Sequence, residues 1–366
     1  MTRPLDGLRI LDLGQLIAGP LCASLLSDLG ADVLKIESPT GDLSREMLGS
    51  HGASAMFLAT NRGKQSIRLN LKSEEGCKAL RKEVERADVL IQGFRPGVME
   101  RLGLGYETLA AWNPRLIHAS ISGFHEDSVD AGRPGVDAVL QAETGIMAVT
   151  GSPDGPPQKV GLQIVDTGAA LVLTQAILAA LILREQTGQA QRVSTSLQQA
   201  STFMQAIAFT EASIVGTDLP RNGNSAGATG YPTDLFECKD GHWIQIAAYL
   251  PDQWNALCDV LETQHLATDP RFITNRERVQ HVSELRPLLA ERFQTNTLAH
   301  WHRLLQARMV LAAPVLGHGD ILKGPNGLDG ILFSAPKQWN GVEYRDVLPP
   351  FQMDGLEWDQ TATAPR

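Results

Sequence analysis

The first candidate for chemistry is a glycine-bearing loop, Gly14–Pro20, which lies between a strand-like segment and a helical one. A loop in this position binds phosphates in dinucleotide-binding proteins. This loop lacks the G-x-G-x-x-G spacing that lets a backbone approach a pyrophosphate, and Glu37 is only a weak match to a ribose-binding acid. The sequence also contains no G-x-x-x-x-G-K-S/T, H-E-x-x-H or G-x-S-x-G motif. These absences disfavour the common nucleotide, metalloprotease and serine-hydrolase chemistries.

Histidines and cysteines form no metal or redox pattern. The nine histidines lack ligand spacing, and His118, within a strand-like segment, is expected to be a core residue. Cys22, Cys77, Cys238 and Cys258 form no CxxC pair. A chain of this length buries a core without disulfides, so we expect free thiols in a reducing compartment. The sequence therefore predicts no metal site and a cytoplasmic protein.

Composition excludes several classes of partner. The 366 residues are 43% hydrophobic and 20% charged, with a formal charge of −9, which indicates a globular protein without the basic surface that nucleic acids require. The start of the chain has no signal-peptide core. Its most apolar stretch, 168–183, contains Thr174 and Gln175 and is expected to be too short for a membrane span. We expect neither a nucleic-acid nor a membrane partner.

The elements that must position any site alternate between strand and helix in the first half of the chain. Apolar strand-like runs alternate with helical segments, a pattern that predicts β-α-β units and a parallel sheet. The predicted strands are 8–13, 32–37, 66–70, 87–92 and 116–121. Helices are predicted from Leu21 to Leu29 and, opened by Ser73, up to Val84. A helix predicted from Thr167 to Glu185 is apolar on nearly every face and should be buried.

The second half of the chain has a different pattern, with a hairpin signal followed by several helical segments, and this pattern predicts a smaller α+β domain. Asp240-Gly241 separates two strand-like runs and predicts a hairpin, and a second hairpin is predicted at Asn340-Gly341. Helices are predicted over 252–261, 282–293 and 298–307, and 197–214 is also helical in pattern. The domain prediction is a large domain at 1–196, a linker at 197–228, a small domain at 229–316, a linker at 317–340 and a return to the large domain at 341–366.

Several segments, taken together, resemble the class III CoA-transferases, the family of formyl-CoA and carnitine CoA-transferases that also includes α-methylacyl-CoA racemase. The resemblance runs from Leu5 to about Leu261 and is weaker beyond. The segments that carry it, in family order, are Ala18–Pro20, Leu29–Asp42 with Arg45, Asn61–Ser66, Leu69–Lys72, Phe94–Tyr106, Asn113–Ile117 with Ser122–Phe124, Gly135–Ala142 and Gly161–Gly168. The resemblance implies a Rossmann-like, CoA-binding large domain and an interlocked homodimer.

The resemblance assigns the nucleophile to Asp166. Judged by position alone, an aspartate before Thr-Gly and a long helix would be an N-cap. The two roles are compatible, since helix-terminal amides are expected to keep the carboxylate ionised and reactive. Asp137 matches a second acidic position that shapes the reaction site. The implied reaction passes CoA from an acyl-CoA to a free acid through aspartyl-anhydride and aspartyl-CoA thioester intermediates, with CoA as substrate and no tightly bound cofactor.

The same resemblance implies a set of CoA contacts at Ile17, Ala18, Leu69, Lys72, Phe94 and Arg101. Without it, Lys72 and Arg101 would be read as ordinary surface charges. The loop 224–230 matches a glycine-rich active-site lid, and a flexible interdomain linker is an equal alternative. Two departures from the family stand out: Gln92-Gly93 replaces Glu-Asn, and Ile17 replaces a glutamine of formyl-CoA transferase. The second argues against oxalate or formate as substrates.

Two alternative functions remain at this point. A racemase needs acid/base groups on both sides of the α-carbon, and its histidine position, 30 residues before Asp166, is occupied by Val136. A valine carries no proton, so a transferase is favoured. A CoA-binding protein without catalysis, in which Asp166 only caps its helix, is the other alternative. The donor and acceptor acids stay open.

Overall fold

The structure, a computed structural model, describes residues 3–49, 52–227, 230–323 and 331–366. The chain divides into two compact units, one comprising 1–147, 159–218 and 325–366 and the other 148–158 and 219–324. Residues 148–158, which were predicted to belong to the large domain, form part of the second unit. Two residues of the predicted lid, 228 and 229, and part of the second predicted linker, 324–330, lie outside the described residues.

The first unit is built from alternating strands and helices. Its strands are β1 (Arg9–Leu13), β2 (Asp32–Glu37), β3 (Lys64–Arg68), β4 (Val89–Gln92), β5 (Ile117–Ser122) and β6 (Arg192–Ser196). The helices up to residue 218 are α1 (Ala18–Asp28), α2 (Ala55–Thr60), α3 (Glu74–Val84), α4 (Val98–Arg101), α5 (Tyr106–Trp112), α6 (Asp137–Glu143), α7 (Ile146–Val149), α8 (Ile164–Thr187), α9 (Leu197–Met204) and α10 (Ala206–Val215), with a 3₁₀ turn at Leu43–Glu46.

Among the described residues, six strands form one parallel sheet in the order β3-β2-β1-β4-β5-β6. The predicted α/β class with a parallel sheet is therefore confirmed. Successive strand residues point to opposite faces, so Ile10 belongs to one apolar cluster and Leu11 to another. Helices α1 and α8 cover the first face, and α3 and α5 contribute to the second. Apolar residues on both faces account for the nearly continuous hydrophobic runs in these strands.

Helix α8 starts and ends beyond its predicted limits. By length and composition it could cross a membrane, contrary to the expectation that this stretch is too short. Leu173 and Ile177 are completely buried in the core of the first unit, and Arg184 near its end forms a 3.0 Å ion pair with Asp88. The prediction that this apolar helix is buried holds for that side of the helix, while residues such as Ile182 are exposed.

Residues 197–215, which the predicted domain boundaries assign to a linker, form helices α9 and α10 of the first unit. The side chains of Leu197 and Ala200 belong to the core cluster, which ties α9 to the sheet. Strand β6 lies just before these helices and was not predicted. Its sequence, Arg-Val-Ser-Thr-Ser, is mostly polar, and it forms a strand because it pairs with β5 at the edge of the sheet.

The second unit combines an antiparallel sheet with helices, as the sequence predicted. Its elements are β7 (Thr233–Glu237), β8 (Trp243–Ala247), α11 (Pro251–Val260), α12 (Gln264–Thr268), α13 (Asn275–Gln280), α14 (Val282–Phe293), α15 (Leu298–Ala307), β9 (Leu311–Pro314) and α16 (His318–Lys323). The predicted Asp240-Gly241 hairpin joins β7 and β8. Trp254, Phe293 and Trp301 are among the buried side chains that form the core of this unit.

The end of the chain belongs to the first unit. Strands β10 (Lys337–Trp339) and β11 (Val342–Tyr344) form the predicted hairpin, with Asn340 and Gly341 both at positive φ as this turn requires. Trp358 packs against the main core cluster, and Ala364 is buried beside Phe57 of α2.

Candidate active site

A cleft of about 470 Å³ opens in the first unit at the carboxyl ends of β1, β4 and β5. Leu13 ends β1, Gly93 follows β4, and Ser122 ends β5, and all three line the cleft. From β1 the chain adds strands first to one side of the sheet (β2, β3) and then, starting with β4, to the other side. Ligands of open α/β sheets bind at such a switch point, which here lies between β1 and β4. The sheet therefore places this cleft where a substrate site is expected.

The first loop forms one wall of the cleft, through residues 15–19. A Cβ added to Gly14 would lie 2.8 Å from Pro20 Cδ and 3.1 Å from Gly19 Cα, so the two glycines allow the loop to close on itself. Helix α1 begins at Ala18, three residues before the predicted start, and Pro20 lies in its first turn. The glycines of this loop thus serve tight backbone packing.

A buried ion pair between Lys35 and Asp42 contacts the backbone of this loop and stabilises it. Lys35 Nζ lies 2.8 Å from Asp42 Oδ2 and donates to the Gly14 carbonyl at 3.0 Å. The amide of Leu16 donates to Asp42 Oδ1 at 3.3 Å, although Leu16 has a φ of 64°, a left-handed conformation that is costly for a branched side chain. The ion pair therefore holds the loop in a strained shape at the edge of the cleft.

A second lysine completes the buried network. Lys64 Nζ donates to Asp12 Oδ2 at 2.7 Å and to the carbonyl of Pro20 at 2.7 Å, with both charged groups completely buried. Burial lowers the pKa of Lys64 to about 8. Two lysines and two aspartates balance each other, as a buried charge cluster requires. Asp42 and Lys64 lie in segments that carry the family resemblance, and in the structure they act as supports of the loop.

Asp137 joins two helices at the far wall of the cleft. It is the first residue of α6, and its carboxylate accepts hydrogen bonds from Gln141 Nε2 at 2.6 Å and from the amides of Val165 and Asp166 at 2.8 and 3.3 Å. A carboxylate that receives the free amides of a first turn acts as the cap of that helix. The cap of α8 is therefore supplied by Asp137, while the residue at its N-cap position, Gln163, makes no side-chain cap bond.

Asp166 lies in the first turn of α8 and lines the cleft, so the expectation that it is the N-cap is wrong. Its carboxylate accepts no hydrogen bond from any described residue. Burial and then the negative charge of Asp137 raise the pKa of Asp166 to about 7. The expectation that helix amides keep it ionised is also wrong, because Asp137 occupies those amides. The result is a carboxylate that is poorly solvated, accepts no hydrogen bond from the described residues and has a pKa near neutral pH, features that mark functional sites.

Of the predicted site residues, the structure brings five together in the cleft: Ile17, Ala18, Phe94, Asp137 and Asp166. Leu69 does not line the cleft but packs on the same apolar cluster as Phe94. Lys72 and Arg101 are exposed and lie outside the cleft lining.

Other lining residues were missed by the sequence analysis. Met47, Met56 and Leu162 supply apolar walls, and Lys159 supplies a cation. Met47 and Met56 lie outside the segments that carry the family resemblance. Their closeness in sequence to Arg45 and Asn61, which do belong to those segments, was the only signal that they could lie near the site. Nothing local distinguishes Lys159 from a surface lysine.

The histidine that a racemase would need is absent from the described lining of the cleft. Val136 lines the cleft beside Asp137, and its side chain offers no proton. In the described parts of the chain, no group of three or more histidine, cysteine, aspartate or glutamate side chains is arranged to hold a metal ion. His118 is buried, as predicted, and burial followed by the charge of Arg192 lowers its pKa to about 4.

Comparison with known proteins identifies the class. Residues 5–366 match the model of CoA-transferase family III, and the chain belongs to this family. It is 40% identical over 335 residues to a succinyl-CoA:mesaconate CoA-transferase of Haloarcula marismortui, covering 88% of this chain and 83% of that one. It is 35% identical over 324 residues to a probable fatty acyl-CoA transferase of Mycobacterium tuberculosis, covering 85% and 82%.

A solved structure agrees with this assignment. A CAIB/BAIF family protein from Brucella suis superposes with a TM-score of 0.89 at 33% identity, covering 100% of this chain and 97% of that one. The protein is thus a CoA-transferase, whose substrates are CoA thioesters and carboxylic acids.

Proposed function

We propose that this enzyme transfers CoA from an acyl-CoA donor to a free carboxylic acid through covalent intermediates on Asp166. The observation that carries the proposal is the Asp166 carboxylate, which lines the cleft without a hydrogen-bond partner in the described chain and has a pKa of about 7. A carboxylate that gives up little solvation and no hydrogen bond on attack is a better nucleophile than a fully solvated one.

The proposed reaction balances without a metal, a redox cofactor or a net proton. An Asp166 oxygen attacks the donor thioester, the C–S bond breaks, and CoA leaves as the thiolate. The thiolate attacks the aspartyl carbonyl, the anhydride C–O bond breaks, and the donor acid leaves while CoA stays on Asp166 as a thioester. The acceptor carboxylate then displaces CoA to form a second anhydride. CoA finally attacks the acceptor carbonyl, which releases the new acyl-CoA and restores Asp166.

Asp137 acts as a positioning residue in this proposal. Its bonds to the first-turn amides fix α8, and therefore the backbone of Asp166, relative to α6. A Cβ on Gly123 would lie only 2.8 Å from Gly135 Cα, and this close approach holds the segment before Asp137 against the end of β5. Asp137 also raises the pKa of the nucleophile, so its charge tunes the fraction of Asp166 that can attack at neutral pH.

CoA is proposed to enter along the first loop and the residues around Phe94. Ile17, Ala18 and Phe94 line the cleft and would contact the part of CoA nearest Asp166. Lys72 and Arg101 form no ion pair with any described carboxylate, so both remain available to the phosphates of CoA. Phosphate recognition through such local cations fits a protein whose overall charge is −9.

We also propose the homodimer that the family resemblance implies, with the two chains interlocked. No residue of α10 is buried, although the helix is apolar, and Ile207 and Ile214 are 86% and 79% exposed. Phe203 on α9 is 73% exposed. Contiguous exposed apolar side chains of this kind mark an interaction surface. We further propose a cytoplasmic location, since all four cysteines are free.

Trapping of the covalent intermediate tests the reaction. The purified enzyme is mixed with acyl-CoA donors, treated with hydroxylamine or borohydride, digested and examined by mass spectrometry. We expect modification at Asp166 and CoA exchange between donor and free acid. Asp166→Asn should abolish both while CoA binding, measured by calorimetry, is retained. Full exchange activity in Asp166→Asn would refute the nucleophile, and CoA binding without any exchange by the wild-type protein would favour a non-catalytic binding protein.

A further inference from the structure

One cation stands out among the side chains that line the cleft. Among the described residues, the lining contains three ionisable groups, Asp137, Lys159 and Asp166. Asp137 is engaged by helix amides, and Asp166 is the proposed nucleophile. The Lys159 ammonium approaches only the carbonyl of the next residue, Val160, at 3.5 Å, and it pairs with no carboxylate in the described ranges. Its charge is therefore available to a bound ligand.

The surroundings of Lys159 explain why its charge matters. Most of the lining is apolar or glycine, with Met47, Met56 and Leu162 among the larger side chains. An anion in such a cleft loses solvation, and the two aspartates repel it. A cation at the wall offsets both costs for an acid that carries negative charge into the site.

The chemistry of the proposed reaction determines which negative charge this cation can serve. A reacting carboxylate becomes a neutral anhydride and then a neutral thioester, so an ion pair to it would be lost during each cycle. A second carboxylate on the same acid keeps its charge through every intermediate. A cation that binds this distal group stabilises ground and transition states equally, which affects KM more than kcat.

We propose that Lys159 binds the distal carboxylate of the acid and makes this enzyme specific for short dicarboxylic acids and their CoA half-esters. The inference rests on the proposed function and adds to it the class of substrate. It also gives Lys159 a specificity role that its sequence context did not reveal. The attraction is that of a single ammonium at an exposed wall, so it should weaken as ionic strength rises.

The test compares Lys159→Met and Lys159→Arg with wild type, using succinate and butyrate as acceptors of equal carbon number. We expect wild type to prefer succinate. Lys159→Met should raise the KM for succinate about fivefold, the upper end of the effect of losing one exposed charged contact. Three other constants of this variant should stay within about twofold of the wild-type values: its kcat, its KM for butyrate, and its KM for the donor in assays with butyrate. Lys159→Arg should retain most of the preference, and Lys82→Met, an exposed lysine on α3, serves as the control.

Several results would overturn the inference. Equal losses with succinate and butyrate would assign Lys159 to the reacting carboxylate, and a raised KM for every CoA donor would assign it to the CoA phosphates. A wild-type enzyme that is trapped on Asp166 by acyl-CoA but prefers monocarboxylic acids would refute the substrate class alone. Failure to trap Asp166 with any donor would instead refute the proposed function.

Discussion

Replacing Asp166 by asparagine should stabilise the protein at pH 8 and leave its stability nearly unchanged at pH 4. Burial and the charge of Asp137 raise the pKa of Asp166 from 3.8 to about 7 in the folded protein. Below pH 3.8 the carboxyl is neutral in both the folded and unfolded states, so it has no effect. As pH rises towards 7 the unfolded chain ionises first, and the folded state loses stability relative to it.

The size of the effect follows from the pKa shift. A difference of about 3 units, at about 1.4 kcal/mol per unit, makes the ionised side chain destabilising by up to about 4 kcal/mol above pH 7. Asparagine has nearly the same shape and never ionises, so the variant avoids this cost. Typical domains are stable by only about 5–15 kcal/mol, which makes the difference easily measurable.

Urea unfolding at a series of pH values between 4 and 8, at one fixed protein concentration, measures the effect. The quantity of interest is the free energy of unfolding of Asp166→Asn minus that of wild type, because other titrating groups cancel in this difference. We expect this difference in the free energy of unfolding to be small at pH 4, to increase with pH, and to level off above pH 7. Asp154→Asn, at an exposed position, reports any general effect of the substitution. A difference that stays constant or falls with pH would refute the conclusion that burial of the ionised Asp166 side chain destabilises the folded protein.

Three further predictions concern Asp137, the buried ion pair below the first loop, and the exposed face of α10. Asp137→Asn removes a negative charge that raises the pKa of Asp166, so the acidic limb of the pH profile of kcat/KM should move from near pH 7 to lower pH. An acidic limb at the same pH as in wild type would contradict the electrostatic coupling between Asp137 and Asp166. Lys35→Met leaves the buried Asp42 carboxylate without its ion-pair partner and should reduce the free energy of unfolding by about 3–5 kcal/mol in urea titrations. An effect below about 1 kcal/mol would argue against the ion pair as a support of the loop. Ile207→Asp places a charge on the exposed apolar face of α10 and should reduce the fraction of the proposed interlocked dimer recovered after refolding, measured by light scattering, because linked chains can assemble only during folding. Recovery of the dimer equal to that of wild type would place the interface elsewhere.

Local sequence patterns were sufficient for most of the fold. The apolar runs that became β1, β2, β4 and β5 are buried on both faces, and this produces a signal that does not depend on distant residues. Ser73 caps α3 as predicted, with its hydroxyl accepting from the amide of Gly76. Motifs in family order also pointed to Asp166. Strand β6 was missed because its polar residues form a strand only through pairing with β5.

The chemistry of the site depended on contacts between residues that are distant in the chain. Asp137 and Asp166 are 29 positions apart, and no local pattern indicated that Asp137 would accept hydrogen bonds from the helix amides expected to bind Asp166. A pKa depends on burial and on charges brought close by folding, so the state of Asp166 could not be read from its neighbours in sequence. The sequence alone therefore determined the parallel sheet and the position of the candidate nucleophile, because periodicity and motif order are local. Tertiary structure decided that the proposed nucleophile does not cap its helix, that it is poorly solvated, and that it shares one cleft with a lysine that pairs with no described carboxylate.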